Sequence, residues 1–296
     1  MSKALIFGIS GQDGYYLRQL LAAEGVAVTG VSRSPGPWQQ GDVADRHFVS
    51  ELIRTTQPDF VFHFAAQSTS SHDALWENAA AIGQGSLAIL EAVRRHCRDC
   101  RVFIAGSALQ FRNDGRPINE QTPFAAGSAY ALARIHATYA ARYYRSQFGT
   151  KAYVGYFFHH ESPHRPANHL SQKIARAAQR IAAGSRERLC LGRGDVRKEY
   201  NFAGDVVRAA WLLLQQDHVS EAVVGCGRVH SIQEWADACF AAVGLAWEDH
   251  VDWQDGFTPE YAIMQSDPAV LFSLSWRPTV SFPELANMMV KGPDHG

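Results

Sequence analysis

Ala4-Leu5-Ile6-Phe7-Gly8-Ile9-Ser10-Gly11-Gln12-Asp13-Gly14 is a short apolar run followed at once by glycines at 8, 11 and 14. Four apolar residues suit a buried strand and are too few for a helix. The next segment, Gly14–Glu24, places Leu17, Leu20 and Leu21 at helical spacing. A GxxGxxG turn between a strand and a helix is the setting of a dinucleotide-binding loop. The glycines allow the tight turn and let backbone approach a pyrophosphate, which then meets the N–H groups of the first helical turn. Gly8, Gly11, Gln12, Asp13 and Gly14 are therefore candidate cofactor-binding residues.

The alternation continues outward from this motif. Strand patterns cover Val26–Val31, Phe60–Phe64, Arg101–Ala105 and Lys151–Phe158. Helical patterns cover Val49–Thr55, Ala79–His96 and Ala129–Gln147. Continuously apolar strands alternating with helices predict an α/β fold, a Rossmann-type doubly wound parallel sheet covered on both faces. The texture changes after Phe158. His159–Asn168 has no periodicity, Ser171–Ala183 reads as a helix, and the remainder mixes helices over Asp205–Gln215 and Ile232–Val243 with one strand at Ala222–Val224 and aromatic loops. The expected organisation is a cofactor domain over 1–158, with a later segment near 190–215 returning to it, and a smaller, mostly substrate-binding region over 159–296. Gly292–Gly296 is expected to fray.

The 296 residues are 46% hydrophobic and 19% charged, enough apolar side chain for a sizeable core and too much for disorder. Twenty-eight basic against 29 acidic residues leave no polycation for nucleic acid. No apolar run approaches the roughly 20 residues of a membrane span, and Ala4–Phe7 is too short for a signal-peptide core. The five cysteines, at 97, 100, 190, 226 and 239, are odd in number and scattered, which suits a reducing, cytoplasmic setting. Cys97 and Cys100 form a lone CxxC with no second half, and no histidine spacing completes a metal site, so no metal is expected.

Cofactor choice is read at the end of the second strand, where an acid would bind a ribose 2′-OH and a basic residue would accept a 2′-phosphate. Gly30-Val31-Ser32-Arg33-Ser34 has no acid and supplies Arg33, which points to NADP(H). Asp42 is a candidate for the adenine edge, and Ala65 and Ala66 for close approach to the cofactor. Tyr130 and Arg134 are four apart on one helix face, and Ser107 follows a strand. A tyrosine beside a fixed cation and a hydroxyl can take or return the proton of an alcohol while hydride moves at the carbon.

On these residues the chain resembles the extended short-chain dehydrogenases/reductases, and within them the GDP-mannose 4,6-dehydratase family. The resemblance runs through GISGQDGYYL (Gly8–Leu17), Gly41-Asp42, Gln57-Pro58-Asp59, Ala65-Ala66-Gln67-Ser68, Thr122-Pro123-Phe124, Ser128-Ala129-Tyr130-Ala131, His160-Glu161-Ser162-Pro163 with Arg165, Lys173-Ile174, Leu189–Gly192, Asp205, Trp211 and Trp276–Phe282. It implies a GDP-hexose substrate, deoxysugar or surface-polysaccharide precursor synthesis, and a homodimer or homotetramer. It implies that tyrosine removes the sugar 4-OH proton, that the hydroxyl after the strand bonds O4, that a glutamate removes the C5 proton, and that a lysine four after the tyrosine holds the nicotinamide ribose. Gln67, Ser68, His159, Glu161, Ser162, Arg165, Lys173, Arg197 and Lys198 fall at the implied substrate positions.

The chain departs from the family pattern at four places. Thr-Ser-Glu-Leu-Tyr-Gly is here Ser107-Ala108-Leu109-Gln110-Phe111-Arg112, so Leu109 stands where the C5 base belongs. Glu120 and Gln110 are the nearest substitutes in sequence, Glu120 on a loop expected to be exposed. The lysine is Arg134, which keeps the charge on a wide planar fork. His159 replaces an asparagine. The arginine-rich loop between Ser34 and Gly41 is largely missing. Three readings follow: a dehydratase, a 4-keto-sugar reductase that needs no C5 base, and a non-catalytic NADP- or nucleotide-sugar-binding homologue.

Overall fold

The computed structural model describes residues 1–254 and 256–293. The strands are β1 (Lys3–Phe7), β2 (Ala27–Ser32), β3 (Gln39–Gln40), β4 (Phe60–His63), β5 (Arg101–Ser107), β6 (Lys151–Phe157), β7 (His160–Glu161), β8 (Leu189–Leu191), β9 (Arg197–Glu199), β10 (Asn201–Phe202), β11 (Glu221–Val224), β12 (Val229–Ser231), β13 (Val251–Trp253) and β14 (Ile263–Met264). The helices are α1 (Gln12–Ala23), α2 (Arg46–Thr56), α3 (Leu75–Asn78), α4 (Gly85–His96), α5 (Ala129–Phe148), α6 (Leu170–Ala182), α7 (Ala203–Leu214), α8 (Ile232–Ala241), α9 (Ala269–Ser273) and α10 (Phe282–Lys291).

Seven strands form one sheet in the order β11-β6-β5-β4-β1-β2-β3. Every pairing in it is parallel. The order reverses direction at β1, the topological switch point where α/β sheets bind ligands beyond their strand ends. Strand alternation sorts the core: Leu5 and Phe7 face one apolar cluster, Ala4 and Ile6 the other. Val102 and Ile104 join the first, Phe103 and Ala105 the second. The α7–β11 segment returns to this sheet, with α7 against α1. A third cluster, around Ile174, Trp235 and Met289, is built by α6, α8 and α10.

The helix predicted over Ala79–His96 starts earlier, at Leu75, and passes through a π-helical turn over Ala79–Gln84 before α4. Small residues let it run close to α5 there: a Cβ on Gly83 would lie 2.7 Å from His136 Nδ1. The short strands of the second half escaped the sequence reading, since two or three residues show no period. Helix α10 was read only as part of an aromatic stretch, although Ser281 and Glu284 form a reciprocal capping box at its start. Of the stretch expected to fray, Gly292 follows α10 directly and residues 294–296 lie outside the described residues.

Candidate active site

The GxxGxxG turn is shaped by contacts no side chain would permit. Gly8 has φ +94°, and a Cβ on it would lie 2.7 Å from Ala65 N. A Cβ on Gly14 would lie 2.6 Å from Ile9 Cα, so α1 sits directly on the turn. Gly11 precedes α1 in extended conformation. The turn opens on a cleft of about 550 Å³ that also takes in Ser32, Arg33, Asp42, Ala65 and Ala66. Ser10 and Ser32 hydroxyls meet at 2.8 Å, and Ser34 N–H donates to Ser32 Oγ at 3.2 Å. This holds the turn after β2, from which Arg33 is exposed. The loop between Ser34 and Gly41 closes on itself, Trp38 Nε1 donating to Ser34 O and Gln40 Nε2 to Arg33 O. A backbone cradle, a helix N-terminus and a rim cation fit a phosphorylated dinucleotide.

The side chains of Gln12 and Asp13 turn the other way, to the segment after β6. Gln12 Nε2 donates to His160 O at 3.3 Å, and Ser162 Oγ donates to Gln12 Oε1 at 2.9 Å. Asp13 Oδ1 lies 3.0 Å from His160 Nε2. Burial works against the Asp13 carboxylate, yet His160, Arg165 and Arg134 hold it below its ordinary value. The Gly-Gln-Asp-Gly and His-Glu-Ser-Pro stretches thus hold each other across almost 150 residues of chain.

Ser107 ends β5 and caps a short turn: its hydroxyl accepts from Leu109 N–H at 3.3 Å. Ser128 caps α5 by accepting from Ala131 N–H, which places Tyr130 in the first turn. Arg134 is buried, 5% exposed, and lies 5.0 Å over the Tyr130 ring. Its Nη1 donates to Ala105 O, two residues before Ser107. Nearby, burial and the Arg134 charge push His63 down to about 3. Tyr130 and Arg134 are therefore brought together where α5 meets β5, and Arg134 is tied to the strand two residues before Ser107.

Gln110 and Glu120, the two residues weighed as substitutes for a C5 base, are elsewhere employed. Gln110 is fully buried; its Oε1 accepts from Ser107 N–H at 2.9 Å and its Nε2 donates to Thr138 Oγ1 at 3.0 Å. Glu120 is not exposed as expected. Its carboxylate accepts from Val223 N–H at 2.8 Å on edge strand β11, and burial raises its pKa.

The positions implied for substrate divide in two. His159, Glu161, Arg165 and Lys198 gather in one buried cluster. Glu161 is fully buried, 2.5 Å from His159 Nε2 and 3.4 Å from Arg165 Nε. Burial would raise its carboxyl, but His159, Arg165 and Lys198 outweigh it and hold it well below the carboxylate range. Burial pushes His159 down to about 3, with Lys198 adding and Glu161 opposing, and its Nε2 also lies 3.4 Å from Ser171 Oγ. Burial also pushes Lys198 down to about 8, Glu161 offsetting part of that. Its Nζ lies 5.2 Å over the Tyr200 ring, which stacks on Trp235 at 4.5 Å. Gln67, Ser68, Lys173 and Arg197 are instead exposed. Asn78 fastens the loop that carries Gln67 and Ser68, accepting from Gln67 N–H and donating to Thr69 O. Arg197 comes within 3.9 Å of Glu234.

Tyr200, Gln110 and buried Glu199 were not singled out as site supports. Glu199 accepts from Ser266 N–H and Oγ–H, Cys226 N–H and Asn201 Nδ2. Partners 27 and 67 residues distant leave no local signal. Among the described residues no three His, Cys, Asp or Glu side chains are grouped to hold a metal, and no helix is long and apolar enough to cross a membrane.

The family model for GDP-mannose 4,6 dehydratase matches residues 35–289. GDP-mannose 4,6 dehydratase 1 of Arabidopsis thaliana is 34% identical over 318 aligned positions, covering 97% of this chain and 88% of that protein. The Homo sapiens GDP-mannose 4,6 dehydratase is 30% identical, covering 97% and 90%. Among solved structures, Thermus thermophilus UDP-glucose 4-epimerase with NAD superposes with a TM-score of 0.86 at 21% identity, over 98% of each chain. RMD from Pseudomonas aeruginosa with NADPH gives 0.86 at 20% identity, again over 98% of each.

Proposed function

This chain belongs to the GDP-mannose 4,6-dehydratase family of extended short-chain dehydrogenases/reductases, and from that we propose that it is an NADP(H)-dependent enzyme acting at C4 of a GDP-hexose. The observation that carries the reading is Arg134, buried over the Tyr130 ring and bound to Ala105 O two residues before Ser107, in the fold that also carries the dinucleotide cleft. In this reading Gly8, Gly11, Gly14, Arg33, Asp42, Ala65 and Ala66 hold NADP(H), which supplies or accepts hydride. Tyr130 takes or returns the proton of the sugar 4-hydroxyl. The Ser107 hydroxyl bonds O4, and Arg134 holds positive charge beneath the tyrosine. Lys173, Arg197 and Lys198 lie toward the nucleotide diphosphate and guanosine, Glu161, Ser162 and Arg165 form the substrate loop, and Gln67, Ser68 and His159 complete the substrate positions.

Family membership favours 4,6-dehydration, and with it a place in deoxysugar or surface-polysaccharide precursor synthesis. A second reading rests on Leu109. An alkyl group cannot move the C5 proton, and Glu120 is bound to β11. Reduction of a 4-keto sugar needs neither. A non-catalytic binding homologue is the third outcome. The cofactor would occupy 1–158 with the returning α7–β11 segment, and the sugar mostly 159–296. Leu132, Tyr139 and Tyr143 stand exposed along one side of α5, which supports a homodimer or homotetramer. The free cysteines support a cytoplasmic setting.

Purified protein incubated with NADP+ and with NADPH, against GDP-mannose and GDP-4-keto-6-deoxymannose, is read by mass spectrometry. Loss of water from GDP-mannose establishes the dehydratase. NADPH consumption with the keto sugar alone establishes the reductase. Binding without turnover leaves the non-catalytic homologue.

A further inference from the structure

His160 sits between the two halves of the molecule, and both of its ring nitrogens face acceptors. Nδ1 lies 2.8 Å from Phe158 O, and Nε2 lies 3.0 Å from Asp13 Oδ1. A backbone carbonyl only accepts, so Nδ1 carries a proton. An ionised Asp13 also only accepts, and then Nε2 carries one as well. Asp13 has reason to be ionised, since Arg165 and Arg134 both add positive field there. The ring is therefore a cation with two charge-assisted hydrogen bonds.

What this cation joins gives it a role. On one side is the first turn of α1, at the mouth of the dinucleotide cleft. On the other is the strand β7, whose next residue is Glu161, the centre of the buried cluster with Arg165 and Lys198. Gln12 clasps the same segment through His160 O and Ser162 Oγ. The Tyr15 ring lies against His164, centroids 3.8 Å apart at a 34° tilt, extending the contact one step further. The charged groups around His160 are Asp13, which favours its cationic form, Arg165, which opposes it, and His169, itself pushed down to about 4. The Phe157 ring meets it edge-on at 5.5 Å.

We propose that His160 is a standing imidazolium at neutral pH and acts, with Asp13, as a positioning pair that sets the Glu161–Arg165 segment against the dinucleotide turn. The part that concerns substrate rests on the proposed function; the charge state does not. The sign of the pH dependence is defined. Burial lowers His160, but Asp13 outweighs it and the pKa is raised, so the clasp is fully present below the ordinary histidine value and is released as pH rises through the raised one.

The test uses the whole protein labelled with ¹⁵N-histidine, with ring nitrogen shifts followed by NMR from pH 6 to 9. Both His160 nitrogens are expected to stay protonated through pH 7, and Asp13→Asn is expected to move the titration below the ordinary histidine value, since burial and Arg165 are then unopposed by a carboxylate. In a parallel arm, affinity for GDP alone is measured against pH. Asp13→Asn should weaken it about tenfold at pH 6, where the wild-type pair is intact, and progressively less as pH rises through the wild-type titration, where that pair is already released. A wild-type ring with one protonated nitrogen at pH 7 overturns the proposal, as does an Asp13→Asn titration identical to wild type. If Asp13→Asn does not fold, the wild-type spectrum alone decides the charge state, and His160→Gln, which keeps an amide donor, replaces it in the binding arm; GDP affinity in that variant with an unaltered pH profile overturns the positioning role. Absence of GDP binding in wild type, with both nitrogens protonated, overturns the proposed substrate and the substrate role of the pair and leaves the charge assignment standing.

Discussion

The cleft above β1 is made of backbone and small hydroxyls: the Gly8–Ala65 approach, the Gly14–Ile9 packing and the Ser10–Ser32 contact. Its one cation, Arg33, stands out in solvent. The Glu161 cluster is built on the opposite plan. It is made of ionisable side chains taken out of water, and each is tolerated only because the others are present. The first region can be altered by adding an atom; the second is altered by removing a charge. Between these two plans stands the group at the end of β5, where Arg134 lies over the Tyr130 ring and donates to Ala105 O, two residues before Ser107.

That division can be broken experimentally, and the largest effect is expected at the group between. Tyr130→Phe should lower redox turnover by about 10³-fold or more while NADPH affinity stays near wild type. Steady-state kinetics with whichever sugar nucleotide the product assay finds to react check it, and unchanged turnover removes Tyr130 from the chemistry.

The Glu161 cluster comes next. Glu161→Gln leaves Arg165 and Lys198 buried with no carboxylate, and removing one partner of such a group costs about 3 kcal/mol. Urea unfolding at pH 7 should show a clear fall in the transition midpoint. A loss below about 1 kcal/mol would mean that water already reaches the cluster.

A smaller loss is expected at the cradle. Gly8→Ala asks an L-residue to hold φ +94° and puts a methyl against Ala65 N, a strain of about 2 kcal/mol. Both melting temperature and dinucleotide affinity should drop together. If affinity alone fell, the turn would have relaxed without disturbing the sheet.

The pH response adds to the comparison, because one buried histidine, His159, belongs to the Glu161 cluster and another, His63, lies beside Arg134 near the cleft. His159 and His63 are each depressed to about 3. For such groups the unfolded chain binds more protons as pH falls below about 6.5, so native stability declines from there toward pH 3. Denaturation series at pH 5 and pH 7 should show that decline, and His63→Asn should flatten part of it. The smallest effect is at the rim: Arg33→Ala should weaken NADPH roughly tenfold and NADH hardly at all. Equal losses for the two would remove the 2′-phosphate role.

Much of the fold was readable before any coordinates, for a local reason. β1, α1, β4, β5 and α5 are long or apolar enough to carry their own period, and their predicted and observed bounds agree within a few residues. Glycines with forced geometry mark the cleft in the same way. Glu120 shows the limit of such reading. A charged residue on a loop was expected to face water, but the unpaired N–H of edge strand β11, a hundred residues later, drew it in. Gln110 shows the same limit, its amide being divided between β5 and α5.

By itself, then, the sequence determined the parallel sheet, the glycine cradle and the candidacy of Ser107, Tyr130 and Arg134, because each is encoded by neighbours within one or two turns of chain. Only the tertiary structure decided that Gln12 and Asp13 grip the His160 segment, that Lys198 and Arg165 share Glu161, and that Lys173 and Arg197 stay in solvent. Those outcomes depend on which distant charges can be desolvated together, and the chain's fold, not its local pattern, sets that.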